Sequence, residues 1–170
     1  VGAEVSTLYL GGGTPTCLPK ELLGSLVTET LRAFPVAYNA EITMEANPGT
    51  VDLGKLTCLR DIGVTRLSIG IQSLEDSLLA RLGRAHSAED AIRAFHLARD
   101  AGFGNVNVDL IYGIPGQTRK DWEETLDLVV GLRPEHISAY GLMLEEGTPL
   151  WHKVKSGILL PCDEDLEINM

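Results

Sequence analysis

The chain has 170 residues, a formal net charge of −10 and an apolar share of 44%, enough material for one folded domain with a buried core. The acidic balance and the scatter of Lys and Arg argue against a nucleic-acid or anionic-membrane partner, both of which need a basic patch. No apolar stretch approaches the ~20 residues of a membrane span, and VGAEVSTLYL reads as neither a signal nor a transit peptide.

Cys17, Cys58 and Cys162 are far apart and odd in number, which fits a reducing, cytoplasmic compartment better than a disulfide framework. The chain begins at Val1 and stops on the helical-looking DEDLEINM. It is therefore expected to be a single domain over 1–170, incomplete at both ends.

In chain order, a strand is predicted over Val5–Leu10, followed by Gly11-Gly12-Gly13-Thr14-Pro15-Thr16. A helix follows over Pro19–Phe34, with Leu22, Leu23, Leu26, Val27, Thr30 and Leu31 on one face. The second strand, Glu41–Ala46, ends in Glu45-Ala46-Asn47-Pro48. The third, Arg66–Ile71, ends in Gln72-Ser73. Ser73 to Asp76 and Ser87 to Asp90 each read as a helix N-cap with an acid three residues on. The helix Ser87–Ala101 presents Ala91, Phe95, Leu97 and Ala98. The fourth strand is Val106–Ile111. Thr118 to Asp121 is another capping signature, opening a helix with Trp122, Leu126, Val129 and Val130 on one face. The fifth strand is His136–Leu142, and Thr148-Pro149 reads as an N-cap with proline at the first helical position.

Strands and helices alternate at the spacing of right-handed crossovers, so the sheet is expected to be parallel. A parallel strand covered on both faces should be almost wholly apolar. Several of these strands instead alternate. Glu41, Thr43, Glu45 and Asn47 oppose Ile42, Met44 and Ala46. Arg66, Ser68, Gly70 and Gln72 oppose Leu67, Ile69 and Ile71. Asn105, Asn107 and Asp109 oppose Val106, Val108 and Leu110. A barrel whose lumen holds a polar ligand accounts for this pattern better than an open doubly wound sheet.

In such barrels the site lies at the C-terminal ends of the strands. The three glycines there would let backbone N–H groups approach a carboxylate or phosphate, or would simply form a turn. Glu45 reads as a ligand for an ammonium or ribose hydroxyl, or as a loop cap. Arg84, in LGRAHS, reads as a bidentate carboxylate grip or a surface arginine. Asp109, set between apolar residues, needs a partner. The four histidines have no metal-ligand spacing, so no metal is assigned to them, and no catalytic triad is legible.

YLGGGTPT, EANPGT, RLSIGIQSL, LGRAHS, NVDLIYGIPGQT and ISAYGLMLEEGTPL occur together and in this order. As a set they resemble the radical S-adenosylmethionine (SAM) proteins of the oxygen-independent coproporphyrinogen III oxidase family. LGRAHS and LEEGTPL are closer to its HemW-type heme chaperones. The resemblance implies an α/β fold, a parallel (β/α)6 partial TIM-like radical SAM barrel with strands two to six present here.

It also implies SAM, a [4Fe-4S] cluster and heme as bound groups. Gly12, Gly13 and Thr14 would meet the methionyl end of SAM and Glu45 its amino or ribose groups. Gln72, Arg84 and Asp109 would complete SAM sites. No residue is assigned a catalytic role. The family's CxxxCxxC loop has no counterpart in this sequence and is expected upstream of Val1, so the chain alone is expected to be inactive. The functions implied are a heme chaperone that passes heme to an accepting protein, or a coproporphyrinogen III dehydrogenase acting on a porphyrinogen. A non-catalytic β-α scaffold is the third possibility.

Overall fold

The structure, a computed structural model, describes residues 4–170. Its five strands are β1 (Val5–Leu10), β2 (Val36–Ala46), β3 (Arg66–Gln72), β4 (Val106–Tyr112) and β5 (His136–Gly141). They form one sheet in the order β1-β2-β3-β4-β5, and every neighbouring pair is parallel. The helices are α1 (Lys20–Ala33), α2 (Leu53–Asp61), α3 (Asp76–Arg81), α4 (Ala88–Asp100), α5 (Arg119–Leu132), α6 (Pro149–Lys155) and α7 (Glu164–Ile168).

The alternation in the strands becomes two distinct faces. Ile42, Met44, Leu67, Ile69, Ile71, Val106, Val108 and Leu110 are buried in one apolar core. Facing them are Leu23 and Val27 of α1, Leu56 and Leu59 of α2, Ala91, Phe95 and Ala98 of α4, and Trp122 and Val129 of α5. Each fully buried aliphatic or aromatic side chain contributes ~1.5–3 kcal/mol, so this helix-covered face holds the sheet together. The opposite face carries the polar residues and lines a concave lumen.

Two helix starts follow the capping logic in full. Ser87 and Asp90 exchange side-chain and backbone bonds at α4, and Thr118 and Asp121 do the same at α5. Thr148 caps α6 with Pro149 following it. The cap expected at Ser73 does not form. Glu75, not Ser73, caps α3, while the Ser73 hydroxyl accepts from the Glu75 N–H at 3.1 Å and closes a local turn.

Other differences concern faces and lengths. Leu22, Leu26 and Val130 are exposed, because only Leu23 and Val27 of α1 and Trp122, Thr125 and Val129 of α5 are buried. The strand β2 starts five residues earlier than predicted, at Val36. The helix α2 was not foreseen; Asp52 caps it by accepting from the Lys55 N–H at 2.7 Å.

Candidate functional site

The lumen face is organised by register. Glu45 of β2 lies beside Ser68 of β3, Ser68 beside Asn107 of β4, and Asn107 beside His136 of β5. One step further along, Gly70, Asp109 and Ser138 form the next row. Side chains in such rows are close enough to bond. Ser68 Oγ donates to Asp109 Oδ2 at 2.8 Å, and Asn107 Nδ2 donates to both Asp109 Oδ1 and Ser68 Oγ at 2.7 Å. His136 Nδ1 and Ser138 Oγ meet Asn107 Oδ1 at 2.5 and 3.1 Å. Because that oxygen only accepts, His136 carries its proton on Nδ1. The partner that Asp109 requires is therefore a set of neutral donors on the lumen floor.

Above this floor the strand ends converge. Glu45 is fixed from two sides, by the Tyr9 hydroxyl to Oε1 at 2.8 Å and by the Gly12 N–H to Oε2 at 3.1 Å. The glycine loop beside them would be strained or displaced by side chains. A Cβ on Gly11 would stand 2.7 Å from Glu45 Cδ and from Tyr9 Cε1, and Gly12 and Gly13 have φ of +89° and +70°. Gln72 also adopts a left-handed backbone, with φ of +70°, at a register shift where β3 leaves β4. Its amide folds back over Gly70, where a Cβ would lie 2.8 Å from Nε2. Non-glycine residues held in this region are strained and concentrate at ligand sites.

A cavity of about 480 Å³ occupies the C-terminal ends of the strands. Gly13, Thr14, Glu45, Gln72, Arg84 and Asp109 all line it. Gly12 is placed differently, its N–H being spent on Glu45. The sequence pattern does not single out Tyr9, which lies in register beside Thr43 of the polar face of β2. Nor does it single out the wall formed by Tyr140 of β5 and by Leu142, Met143 and Glu145 just after that strand, although all four lie within the ISAYGLMLEEGTPL segment. Arg84 makes no ion pair or side-chain hydrogen bond among the described residues, and burial pushes its guanidinium below the ordinary arginine value. An unpartnered, partly desolvated guanidinium beside a cavity is suited to a carboxylate ligand.

Partial desolvation of the Tyr9 hydroxyl where it meets the lumen, then its bond to Glu45 and the charge of that carboxylate, push the phenol of this otherwise exposed residue up to about 12. The fold favours the neutral phenol. Its contribution is therefore intact below the ordinary value of 10.0 and is lost as pH rises toward 12. In an alkaline absorbance titration, one of the four tyrosines is expected to ionise late. Tyr9→Phe should remove that late step, and its persistence in the variant would assign the shift elsewhere.

The remaining histidines have local roles. His86 is buried, with Nε2 3.1 Å from the Ile71 carbonyl and Nδ1 unpartnered, and burial lowers its pKa. His96 packs edge-on to Phe95. Among the described residues, no group of three His, Cys, Asp or Glu side chains is placed to hold a metal ion. Cys17, Cys58 and Cys162 lie on a 3-10 turn, on α2 and just before α7, and are unpaired. They do not fit an iron–sulfur cluster, which needs converging thiolates. No helix among the described residues is long and apolar enough to cross a membrane.

A parallel partial barrel with a polar lumen and a glycine-rich first strand end is the pattern that a family comparison can decide. The family described as the Radical SAM superfamily matches residues 2–129. The chain belongs to the radical SAM superfamily. It is 39% identical over 168 residues to "Heme chaperone HemW" of Bacillus subtilis (strain 168), covering 98% of this chain and 44% of that protein.

The protein of the same name from Escherichia coli (strain K12) is 41% identical over 147 residues, covering 86% and 39%. The structure is also similar to the coproporphyrinogen III oxidase HemN of Escherichia coli, described as a radical SAM enzyme. That match has a TM-score of 0.85 and 32% identity, and covers 98% of this chain and 38% of the other. The chain thus spans less than half the length of these relatives. The five parallel strands and their helices are a TIM-like partial barrel of the radical SAM type.

Proposed function

We propose that this chain is the SAM-binding portion of a HemW-type heme chaperone, a single radical SAM core unit over 1–170. The observation that carries the reading is the convergence of Glu45, Gln72, Arg84, Asp109 and the glycine loop on one cavity at the strand ends. SAM is a net cation bearing a sulfonium, an ammonium and a carboxylate. The cavity offers the carboxylates of Glu45, Asp109 and Glu145 against the single guanidinium of Arg84, a complementary charge pattern.

In this reading Gly13 and Thr14 face the methionyl end. Glu45, oriented by Tyr9 and Gly12, takes the ammonium or a ribose hydroxyl, and Arg84 is the grip for the carboxylate. Gln72 and Asp109 complete the polar wall. A [4Fe-4S] cluster would supply the electron for radical chemistry on bound SAM. The described residues do not fit such a cluster.

Heme and porphyrinogens carry anionic propionates, which the acidic cavity disfavours. Heme is therefore expected to bind mainly through parts of the protein outside this chain, from which an accepting protein would take it. A cytoplasmic location accompanies this reading, since the three cysteines are unpaired. The likeness to HemN supports a second reading, oxidative decarboxylation of coproporphyrinogen III, which would use the same SAM site. A non-catalytic scaffold would show neither SAM binding nor heme binding.

The test uses the full-length protein, reconstituted anaerobically with cluster and SAM. It is expected to bind heme and to form no protoporphyrinogen from coproporphyrinogen III. Robust protoporphyrinogen formation would replace the chaperone reading with the oxidase.

A further inference from the structure

We infer that Lys55 is a positioning residue, a clamp that locks the glycine loop after β1 to the turn after β2 and so sets the spacing of the two walls of the cavity. The effect on SAM rests on the reading above; the clamp itself does not. Lys55 lies in the first turn of α2, half-buried. Its Nζ donates to the Thr16 carbonyl at 2.7 Å and to the Thr50 carbonyl at 2.8 Å. A lysine on a surface helix ordinarily leaves its ammonium in water. Here two of its three donors are committed to backbone carbonyls from two different loops.

A ring of hydroxyls joins the same two loops. Thr50 Oγ1 donates to the Asn47 carbonyl at 2.8 Å, which uses its proton. The 2.6 Å contact between Thr16 Oγ1 and Thr50 Oγ1 must therefore run from Thr16 to Thr50. Thr16 Oγ1 in turn accepts from the Asn47 N–H at 3.3 Å. The ring runs from Asn47 N–H through Thr16 and Thr50 and back to the Asn47 carbonyl, and Thr16 is fully buried within it. Lys55 closes it from outside with charge-assisted bonds, which are stronger than neutral ones.

The clamp sits beside the cavity and not in it. Thr16 is two residues past Thr14, and Asn47 is two residues past Glu45; Thr14, Glu45 and Asn47 line the cavity, whereas Lys55 and Thr16 do not. Glu45 is already tied to the glycine loop through the Gly12 N–H. With Lys55 in place, the two strand ends are joined above and beside that contact. Without it, the glycine loop keeps the Glu45 bond and the hydroxyl ring, but the ammonium bridge from Thr16 to Thr50 is lost.

The experiment compares Lys55→Met, Lys55→Arg and Thr16→Val in the full-length protein. Amide hydrogen exchange is read over residues 11–17 and 47–51, SAM affinity by calorimetry, and folding by melting temperature. Lys55→Met is expected to speed exchange in both loops selectively and to weaken SAM about tenfold, with melting displaced by no more than about 4 °C. Lys55→Arg should restore protection and affinity, since a guanidinium also reaches two carbonyls. Thr16→Val should loosen the same loops from the ring side, and Lys55→Gln, which stays polar but removes the ammonium, decides the case if Lys55→Met does not fold.

Wild-type exchange and affinity in Lys55→Met would overturn the proposal. So would faster exchange spread evenly over the chain, which is the signature of a merely structural lysine. If the wild type itself fails to bind SAM while Lys55→Met still frees the two loops, the SAM reading falls and the clamp stands.

Discussion

Glu45→Ala is expected to weaken SAM binding by the full-length protein about ten- to a hundredfold, the range of a lost charge-assisted hydrogen bond of ~1.5–3 kcal/mol. The fold itself should tolerate the change. Glu45 is partly exposed, and its two donors, the Tyr9 hydroxyl and the Gly12 N–H, belong to exposed residues that water can satisfy. Calorimetric titration with SAM and a melting curve check both halves of this expectation. Glu45→Gln keeps an acceptor for Tyr9 or Gly12 but removes the charge, so it should behave like the alanine variant if an ammonium is bound. It should retain most of the affinity if a ribose hydroxyl is bound. Unchanged affinity combined with a large fall in melting temperature would show that Glu45 serves the fold instead.

Asp109→Ala is expected to differ, weakening SAM and also destabilising the protein by ~1–3 kcal/mol. Asp109 is the acceptor on which Ser68 Oγ and Asn107 Nδ2 converge, and both Ser68 and Asn107 are buried. Removing the carboxylate strands those donors on a floor that water reaches poorly, and an unsatisfied buried donor costs more than a bond gains. For a chain of this size the loss corresponds to roughly 2–12 °C in melting temperature. Asp109→Asn should fall between, because one oxygen still accepts while the added N–H₂ faces an existing donor. A melting temperature within about 1 °C of wild type for Asp109→Ala, less than 1 kcal/mol would produce, would count against the network as a source of stability.

The two carboxylates thus separate, although the sequence presents them alike. Both occupy lumen-facing positions near strand ends; from that pattern Glu45 reads as a candidate ligand and Asp109 as an acid in need of a partner, and the family resemblance alone implies a SAM site for Asp109. What distinguishes them is the neighbour across the sheet. Glu45 meets the exposed glycine loop and a half-exposed tyrosine, so its charge is free to act on a ligand. Asp109 sits over Ser68 and Asn107, so part of its charge is already used to hold the floor together.

The sequence by itself determined the two faces of every interior strand, because alternation with a period of two records which side chains must avoid water. It determined the starts of α4, α5 and α6, because capping is a bond between residues three apart and depends on nothing distant. It also pointed to Gly13, Thr14, Glu45, Gln72 and Asp109 of the cavity lining, because a parallel barrel exposes its strand ends at one rim.

Other features came only from the tertiary structure. The apolar residues of α2 are interrupted by Gly54, Lys55 and Thr57, so no clear stripe marked it as a helix; packing of Leu56 and Leu59 on the sheet decides it. Leu22, Leu26 and Val130 looked equivalent to their buried neighbours until the angle of each helix on the sheet was fixed. The bonds that define the site join residues far apart in the chain: Tyr9 to Glu45, Thr16 to Lys55, Ser68 to Asp109. Such pairs depend on the register between parallel strands and on where the crossovers return. Those are set by how whole helices pack on the sheet, and no local pattern of residues encodes them.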